Sequence, residues 1–174
     1  MKNVLPNAGW ALFGAIAALP LTAYAVTLNI TIELQGAVST PFERDVAFVA
    51  TDAEGGVLQT WSESVIFTDG MAQIQLLNAP AQLARLSAKT TYHLRRRVDC
   101  APIDGLAEAD FTGAMALRGG DLNGDNVVDM QDFNRLRFFW FSDNEAADLT
   151  GSGMTAQADL DILKSNWMET GDEP

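Results

Sequence analysis

DLNGDNVVDMQD, residues 121–132, is the stretch that decides how the C-terminal third of the chain is organised. It has the length and spacing of a twelve-residue loop in which about six to eight oxygen atoms hold a hard divalent cation. Oxygen-bearing side chains stand at loop positions 1, 3, 5, 9 and 12, and a backbone carbonyl is expected at position 7. The predicted ligands are Asp121, Asn123, Asp125, the carbonyl of Val127, Asp129 and Asp132.

The loop departs from the usual pattern in three respects. Position 6, which needs a positive φ, is Asn126 instead of glycine. Position 12 is Asp132 instead of glutamate, so the backbone has to approach the ion more closely. No amphipathic helix precedes the loop, because residues 117–120 (LRGG) lead straight into it. A helix is expected to follow, with an apolar stripe at helical spacing formed by Phe133, Leu136 and Trp140.

The unit is repeated 27 residues later as DLTGSGMTAQAD, residues 148–159. This second loop keeps an aspartate at each end but has Thr, Ser and Ala at positions 3, 5 and 9. Calcium affinity decreases as charged ligands are lost. The loop therefore either binds calcium weakly or is a metal-free turn held by its helix. Its candidate ligands are Asp148, Thr150, Ser152, the carbonyl of Met154 and Asp159.

Two such loop–helix units with aspartate at both ends of each loop resemble a type I dockerin, a module that docks secreted proteins onto cohesin domains. The resemblance covers residues 119–169. It implies Ca²⁺ as cofactor, a cohesin-type or other extracellular protein as partner, and a place in a polysaccharide-degrading or cell-surface system. It also implies partner contacts from loop positions 10 and 11 and from the following helix. The candidates are Met130, Gln131, Arg137 and Phe138 in the first repeat, and Lys164 and Ser165 in the second.

Residues 1–25 have the features of a secretory signal. A positive charge at Lys2 precedes an apolar run, residues 10–19, which is too short to span a bilayer. Ala23-Tyr24-Ala25 has the small-x-small form of a cleavage site. The chain is therefore predicted to be secreted or at the cell surface after bacterial-type export, with no membrane span once the signal is cleaved; the alternative is an uncleaved anchor.

Residues 26–118 have the period-two pattern of β-strands. Polar and apolar residues alternate over residues 27–34, and about seven short strands follow one another with Gly, Asn and Asp turns, one of them a hairpin turn at residues 69–70. This predicts an antiparallel β-sandwich, and residues 86–97 resemble a segment of small Ig-like or carboxypeptidase-regulatory-like sandwiches. The predicted fold class is thus α+β in two modules: this sandwich, then a small helical dockerin-like pair at residues 119–174, joined flexibly at Gly119-Gly120.

Charge and composition exclude several functions. The net charge is −12, and residues 119–174 hold 12 acidic side chains against 3 basic ones, so nucleic-acid binding is not expected. The single cysteine, Cys100, cannot form an internal disulfide and is interpreted as a buried small hydrophobe, the alternative being a site of intermolecular pairing. The only histidine, His93, has no carboxylate partner nearby in sequence. The chain is therefore predicted not to be an enzyme.

Three functions stay open at this point. The calcium module could bind a cohesin-type partner, or it could be a calcium staple that docks on its own β-sandwich. Exposure or burial of Phe138 and Phe139 would separate these two. In the third hypothesis the β-sandwich binds carbohydrate by stacking on Trp61, Tyr92 and His93.

Overall fold

A computed structural model describes residues 26–38 and 40–174, so the predicted signal at residues 1–25 lies outside the described residues. No helix in the described part is both long and apolar enough to cross a membrane. The strands are β1 Val26–Glu33, β2 Phe42–Thr51, β3 Val57–Phe67, β4 Met71–Ala79, β5 Arg85–Thr90, β6 Arg96–Asp99 and β7 Leu106–Phe111. The helices are α1 Met130–Phe138 and α2 Gln157–Ser165.

The seven strands form two sheets that face each other. One sheet has the order β4-β1-β7, and the other β3-β2-β5-β6. The alternation predicted for β1 is present, since its buried and half-buried residues alternate along the whole strand. Residues such as Leu28, Phe48 and Phe111 meet between the sheets in one hydrophobic core. The alternation of polar and apolar residues therefore predicted the β-sandwich for the correct reason, which is the burial of alternate residues between the sheets.

The pairing of the strands differs from the prediction in two places. β1 and β7 pair in parallel, so the sandwich is not purely antiparallel. The turn Asp69-Gly70 has positive φ at both residues, as predicted, and Thr68 and Met71 bridge across it. Beyond this bridge, however, β3 and β4 belong to different sheets. A local turn signal does not specify whether the strands on either side stay paired.

The predicted fold class, α+β, is wrong: the described chain is mostly β. The helices that follow the two loops have only nine residues each, and the remaining helical segments are two three-residue turns. Nine residues are too few for a helix to be stable by itself in water, so α1 and α2 depend on tertiary packing. Leu122, Val128, Leu136 and Leu163 contribute to a second hydrophobic cluster, which Leu94 from the link between β5 and β6 completes.

The glycine pair between the two predicted modules is not a flexible joint. Gly119 and Gly120 are buried, and the backbone here pairs with the link between β5 and β6. The amide of Leu94 donates to the carbonyl of Arg118 at 2.8 Å, and the amide of Gly120 donates to the carbonyl of Tyr92 at 3.0 Å. Composition suggested flexibility, but these hydrogen bonds hold the backbone in place.

Residues 119–174, which we call the loop–helix segment, are fastened to the β-sandwich at further points. The amide of Val38 donates to the carbonyl of Thr150 at 2.9 Å. The side chain of Asn166 donates to the side chain of Gln35 at 2.6 Å. The C-terminal tail also joins the sandwich just before β6, where the amide of Asp172 donates to the carbonyl of Arg95 at 2.9 Å. The loop–helix segment is therefore held against the sandwich along both of its loops.

Candidate functional site

Loop 1, residues 121–132, is organised around the carboxylate of Asp121, which is completely buried. One oxygen, Oδ1, accepts the amide of Gly124 at 2.8 Å, and the other, Oδ2, accepts the amide of Asn126 at 3.0 Å. Asn126 has a φ of 71°, the left-handed conformation that the pattern requires at position 6. The tight turn predicted from the spacing is therefore present.

The same carboxylate also receives a positive charge from the β-sandwich. Lys89 of β5 forms a salt bridge with Oδ2 of Asp121, and its side chain is only 15% exposed. Its ammonium nitrogen lies 3.3 Å from the carbonyl oxygen of His93 and 3.4 Å from Oδ1 of Asn126. The sequence analysis did not single out Lys89; the only signal available was a basic residue in the interior of a largely buried strand.

The other end of loop 1 closes through Asp132, which is also fully buried. Its carboxylate accepts the amide of Asn123 at 3.0 Å and the amide of Asp129 at 2.8 Å, so it caps the start of α1. Burial raises the pKa of Asp132, while the hydrogen bonds from the amides of Asp129 and Asn123 act in the opposite direction. Asn123 and Asp125 are exposed on the outside of the loop, and their side chains bond to each other at 2.8 Å.

The donor atoms of loop 1 fit a hard cation by type but not by arrangement. All the predicted side-chain ligands offer oxygen, as Ca²⁺ requires. Within the part of the chain that the structure describes, however, no three His, Cys, Asp or Glu side chains converge as a metal would need. The carboxylates instead face backbone amides: besides those named above, Asp125 accepts the amide of Val127, and Asp129 accepts the amide of Gln131. The predicted ligand set stays a prediction.

Loop 2, residues 148–159, closes without any charged partner. Asp148 is 2% exposed and accepts the amides of Gly151, Ser152 and Gly153 at 2.7 to 3.1 Å. The hydroxyl of Thr150 bonds to both terminal carboxylates, those of Asp148 and Asp159, at 3.1 Å. The remaining predicted ligand residues of this loop, Ser152 and Met154, are exposed, and the Ser152 hydroxyl donates to the Met154 carbonyl.

Two buried basic side chains lie between the loops and the sandwich. Arg44 of β2, 9% exposed, donates to the backbone carbonyl of Asp148 at 2.7 Å. His93 is fully buried, and its Nδ1 lies 2.7 Å from the hydroxyl of Thr90. Burial, and then the charges of Arg44 and Lys89, lower the pKa of His93 to about 3. The imidazole is therefore neutral at physiological pH, and the backbone of His93 forms an isolated bridge with Gly119 in the link between β5 and β6.

The predicted partner-binding residues do not form one surface. Met130, Gln131, Arg137 and Phe138 are exposed on α1. The ring of Phe138 is 80% exposed and packs edge-on against Phe139, which is half-buried. On α2, Lys164 is exposed, whereas Ser165 lines a crevice against the sandwich and lies 3.4 Å from the side chain of Gln35.

Outside α1, the loop–helix segment exposes further apolar residues that the sequence analysis did not assign to a partner. Phe141 is 72% exposed and Met168 69% exposed. A groove of about 220 Å³ runs between the two helices, with an almost wholly apolar lining and one basic side chain, Arg137. Its lining residues are Phe133, Leu136, Arg137, Trp140 and Leu160.

The residues proposed to stack on carbohydrate are half-buried or buried. Trp61 is partly buried and packs against the sandwich core, and Tyr92 packs against the second cluster with Arg44 over its ring. His93 is inaccessible. Cys100 is buried in the sandwich core, where burial and then Asp99 raise its pKa to about 12, so that it stays a neutral thiol. These positions provide neither an aromatic platform nor a reactive thiolate.

Comparison with known proteins gives a likeness of fold. No family model matches the chain, and no curated protein matches it. Among solved structures, it is similar to a chain from the crystal structure of an N-terminal interface mutant of a type II Cohesin-X-Dockerin complex from Acetivibrio cellulolyticus. The two are 13% identical, with a TM-score of 0.53, over 84% of this chain and 97% of that one.

This comparison corrects the resemblance drawn from the sequence. The identification of a type I dockerin behind a separate sandwich is wrong: the likeness is to a chain of a type II complex, and it extends over a largely β structure with two short helices. The description as an EF-hand-like calcium-binding domain is wrong for the same reason. Loop spacing led to it, but a dozen residues of spacing do not specify what surrounds the loop.

Proposed function

We propose that this chain is a non-catalytic module for protein–protein assembly, exported to the cell surface or secreted. The observation that carries the proposal is the exposed ring of Phe138 at the end of α1, with Phe141 exposed three residues further on. Large apolar side chains exposed in this way are typical of interaction sites. The likeness to a chain of a Cohesin-X-Dockerin complex supports the same class of function.

The partner we propose is an extracellular protein of the cohesin–dockerin class, with a cohesin-type domain as the first candidate. The last turn of α1 carries two basic side chains, Arg135 and Arg137, in a chain of net charge −12. A complementary surface would therefore combine an apolar centre with acidic groups beside it. Such a module would act in a polysaccharide-degrading or cell-surface assembly.

A binding measurement with matched variants tests this function. The full-length protein would be titrated by biolayer interferometry against a panel of cohesin-type and dockerin-type domains. Phe138→Ser should weaken binding by at least about tenfold, because a central aromatic residue is the typical hot spot. Ile103→Ser is the control, since Ile103 is equally exposed, 77% against 80%, but lies in the β-sandwich. No binding to any domain, or equal losses in both variants, would contradict the proposal.

A second candidate is that the loop–helix segment serves mainly to brace its own sandwich. The hydrogen bonds that Val38, Arg44 and Asn166 donate across the boundary favour this function. It does not account for Phe138, however, whose ring remains free although the segment is docked. Of the two rings that separate these hypotheses, Phe138 is exposed, which favours an external partner, whereas Phe139 is half-buried against the second cluster.

Binding of Ca²⁺ to loop 1 is a separate proposal, supported only by the oxygen chemistry of its side chains. Calorimetric titration of the full-length protein with CaCl₂ tests it. If the predicted ligands hold the ion, the double substitution Asp121→Ala, Asp125→Ala abolishes the binding heat, and unchanged binding would exclude the site. The structure gives no comparable support for loop 2, where hydroxyl groups replace the amide at position 3 and the carboxylate at position 5.

A further inference from the structure

We propose that Lys89 supplies loop 1 with a built-in positive charge, which keeps the loop folded on the β-sandwich without a bound divalent cation. In an ordinary calcium loop the ion itself offsets the carboxylates and holds the loop in shape. Here a lysine from β5 makes this contribution from the sandwich side. The inference concerns how the loop is stabilised and does not depend on the partner proposed above.

Both charges of the Lys89–Asp121 ion pair are largely or completely buried. Asp121 has no exposed surface, and the Lys89 side chain is only 15% exposed. A buried carboxylate is strongly unfavourable unless a charge or several hydrogen bonds compensate for it. Lys89 is the basic side chain that the structure places in contact with this carboxylate. The pair therefore removes the main electrostatic obstacle to folding loop 1 without an ion.

The ammonium group of Lys89 has an oxygen within reach for each of its three donors. A lysine ammonium has three donors and no acceptor. Lys89 reaches three oxygens: Oδ2 of Asp121, the carbonyl of His93 at 3.3 Å, and Oδ1 of Asn126 at 3.4 Å. Two of the three belong to loop 1 and one belongs to the sandwich. The lysine therefore ties positions 1 and 6 of the loop to the turn after β5.

Asn126, at position 6 of loop 1, is also held by hydrogen bonds to neighbouring parts of the protein. Oδ1 of Asn126 accepts the amide of Arg95 at 2.8 Å, and its Nδ2 donates to the carbonyl of Asp172 at 3.1 Å. Asn126 is thus hydrogen-bonded to the sandwich on one side and to the C-terminal tail on the other. Together with the ion pair between Lys89 and Asp121, these hydrogen bonds hold the shape of loop 1.

Amide hydrogen exchange in the presence of a chelator tests this inference. In the full-length protein with EDTA, the amides of Gly124 and Asn126 should be protected, because both donate to the carboxylate of Asp121. Lys89→Met, which keeps the length of the side chain but removes the charge, should lower their protection by at least about a hundredfold. Lys89→Arg should retain most of it. The amides of Gly151 and Ser152 in loop 2 should not change.

Lys164→Met is the matched control, since Lys164 is an exposed lysine of the same segment. Its loop 1 amides should exchange as in the unmodified protein. The inference is overturned if the unmodified protein has unprotected Gly124 and Asn126 amides in EDTA and gains protection only when CaCl₂ is added. This arm decides the question even if Lys89→Met fails to fold. Equal protection in Lys89→Met and the unmodified protein would overturn it as well.

Discussion

Loop 1 and loop 2 have the same length, the same aspartates at their ends and the same short helix behind them, but they neutralise their buried carboxylates differently. In loop 1, Asp121 is paired with Lys89 from the sandwich. In loop 2, Asp148 has only hydrogen bonds, three from loop amides and one from the hydroxyl of Thr150. One repeated pattern therefore has two physical solutions, one ionic and one made of neutral donors.

The difference follows from what each loop faces on the sandwich. Loop 1 faces the end of β5 and the turn that follows it, where Lys89 is available. Loop 2 faces the start of β2, where Arg44 donates to the carbonyl of Asp148 and not to its carboxylate. Similar sequence segments thus acquire different electrostatics because different strands lie beside them.

The largest expected effect comes from removing the charge at position 1 of each loop. Asp121→Asn leaves the Lys89 ammonium without its counter-charge and should lower the free energy of unfolding by about 3 kcal/mol or more. Asp148→Asn keeps an acceptor oxygen and leaves no buried cation without a partner. It should therefore lower the free energy of unfolding by about 1–2 kcal/mol. Urea unfolding of both variants in EDTA at pH 7 measures this. Equal losses would mean that the ion pair adds nothing to loop 1.

A smaller contrast is expected at position 4, which is glycine in both loops. Gly151 has a φ of +74°, and a Cβ there would lie 2.6 Å from the ring of Phe42. Gly124 has a φ of +87° but nothing within 4 Å. Gly151→Ala should therefore cost about 2–3 kcal/mol from strain and overlap, against about 1 kcal/mol for Gly124→Ala. Thermal unfolding of the two variants checks the order, and a larger loss at Gly124 would contradict the close packing of loop 2.

Acidification tests the surroundings of both loops together. The pKa of His93 is about 3 in the folded protein and ordinarily about 6.5, so the unfolded chain binds the proton more readily. Stability should be fully present above pH 6.5 and should fall as the pH decreases below that value. The expected loss is about 2 kcal/mol between pH 7 and pH 5.

The His93→Gln variant separates this contribution from other titrations. It lacks the titrating imidazole, so its free energy of unfolding should change less between pH 7 and pH 5 than that of the unmodified protein. Denaturant unfolding at both pH values provides the comparison. The same pH dependence in both proteins would show that His93 is not the group responsible.

Much of the local structure was predictable because it depends on short-range physics. Alternation along residues 27–34 gave β1, and the Asp69-Gly70 turn has the positive φ values that its residue types favour. The spacing of residues 121–132 gave a loop whose sixth residue, Asn126, is left-handed and whose last residue, Asp132, caps a helix. Each of these features is encoded by residues within about a dozen positions of one another.

The errors arose where distant segments meet. The parallel pairing of β1 with β7 joins strands some 80 positions apart, and no local pattern indicates it. The link at Gly119-Gly120 was predicted to be flexible because its composition allows flexibility, but the adjacent backbone of Tyr92 and Leu94 fixes it. The sequence predicts an independent helical module at the two short helices, because an apolar stripe does not indicate which surface packs against it.

The sequence by itself determined the strands, the turns, the two loops and the starts of both helices, because hydrophobic period and oxygen-bearing side chains act over short distances. Only the tertiary structure decided that Lys89 neutralises Asp121, that His93 is buried, and that the ring of Phe138 remains exposed. The physical reason is that charge pairing and burial depend on which surfaces pack together. That packing is set by the whole sandwich and not by any single stretch of the chain.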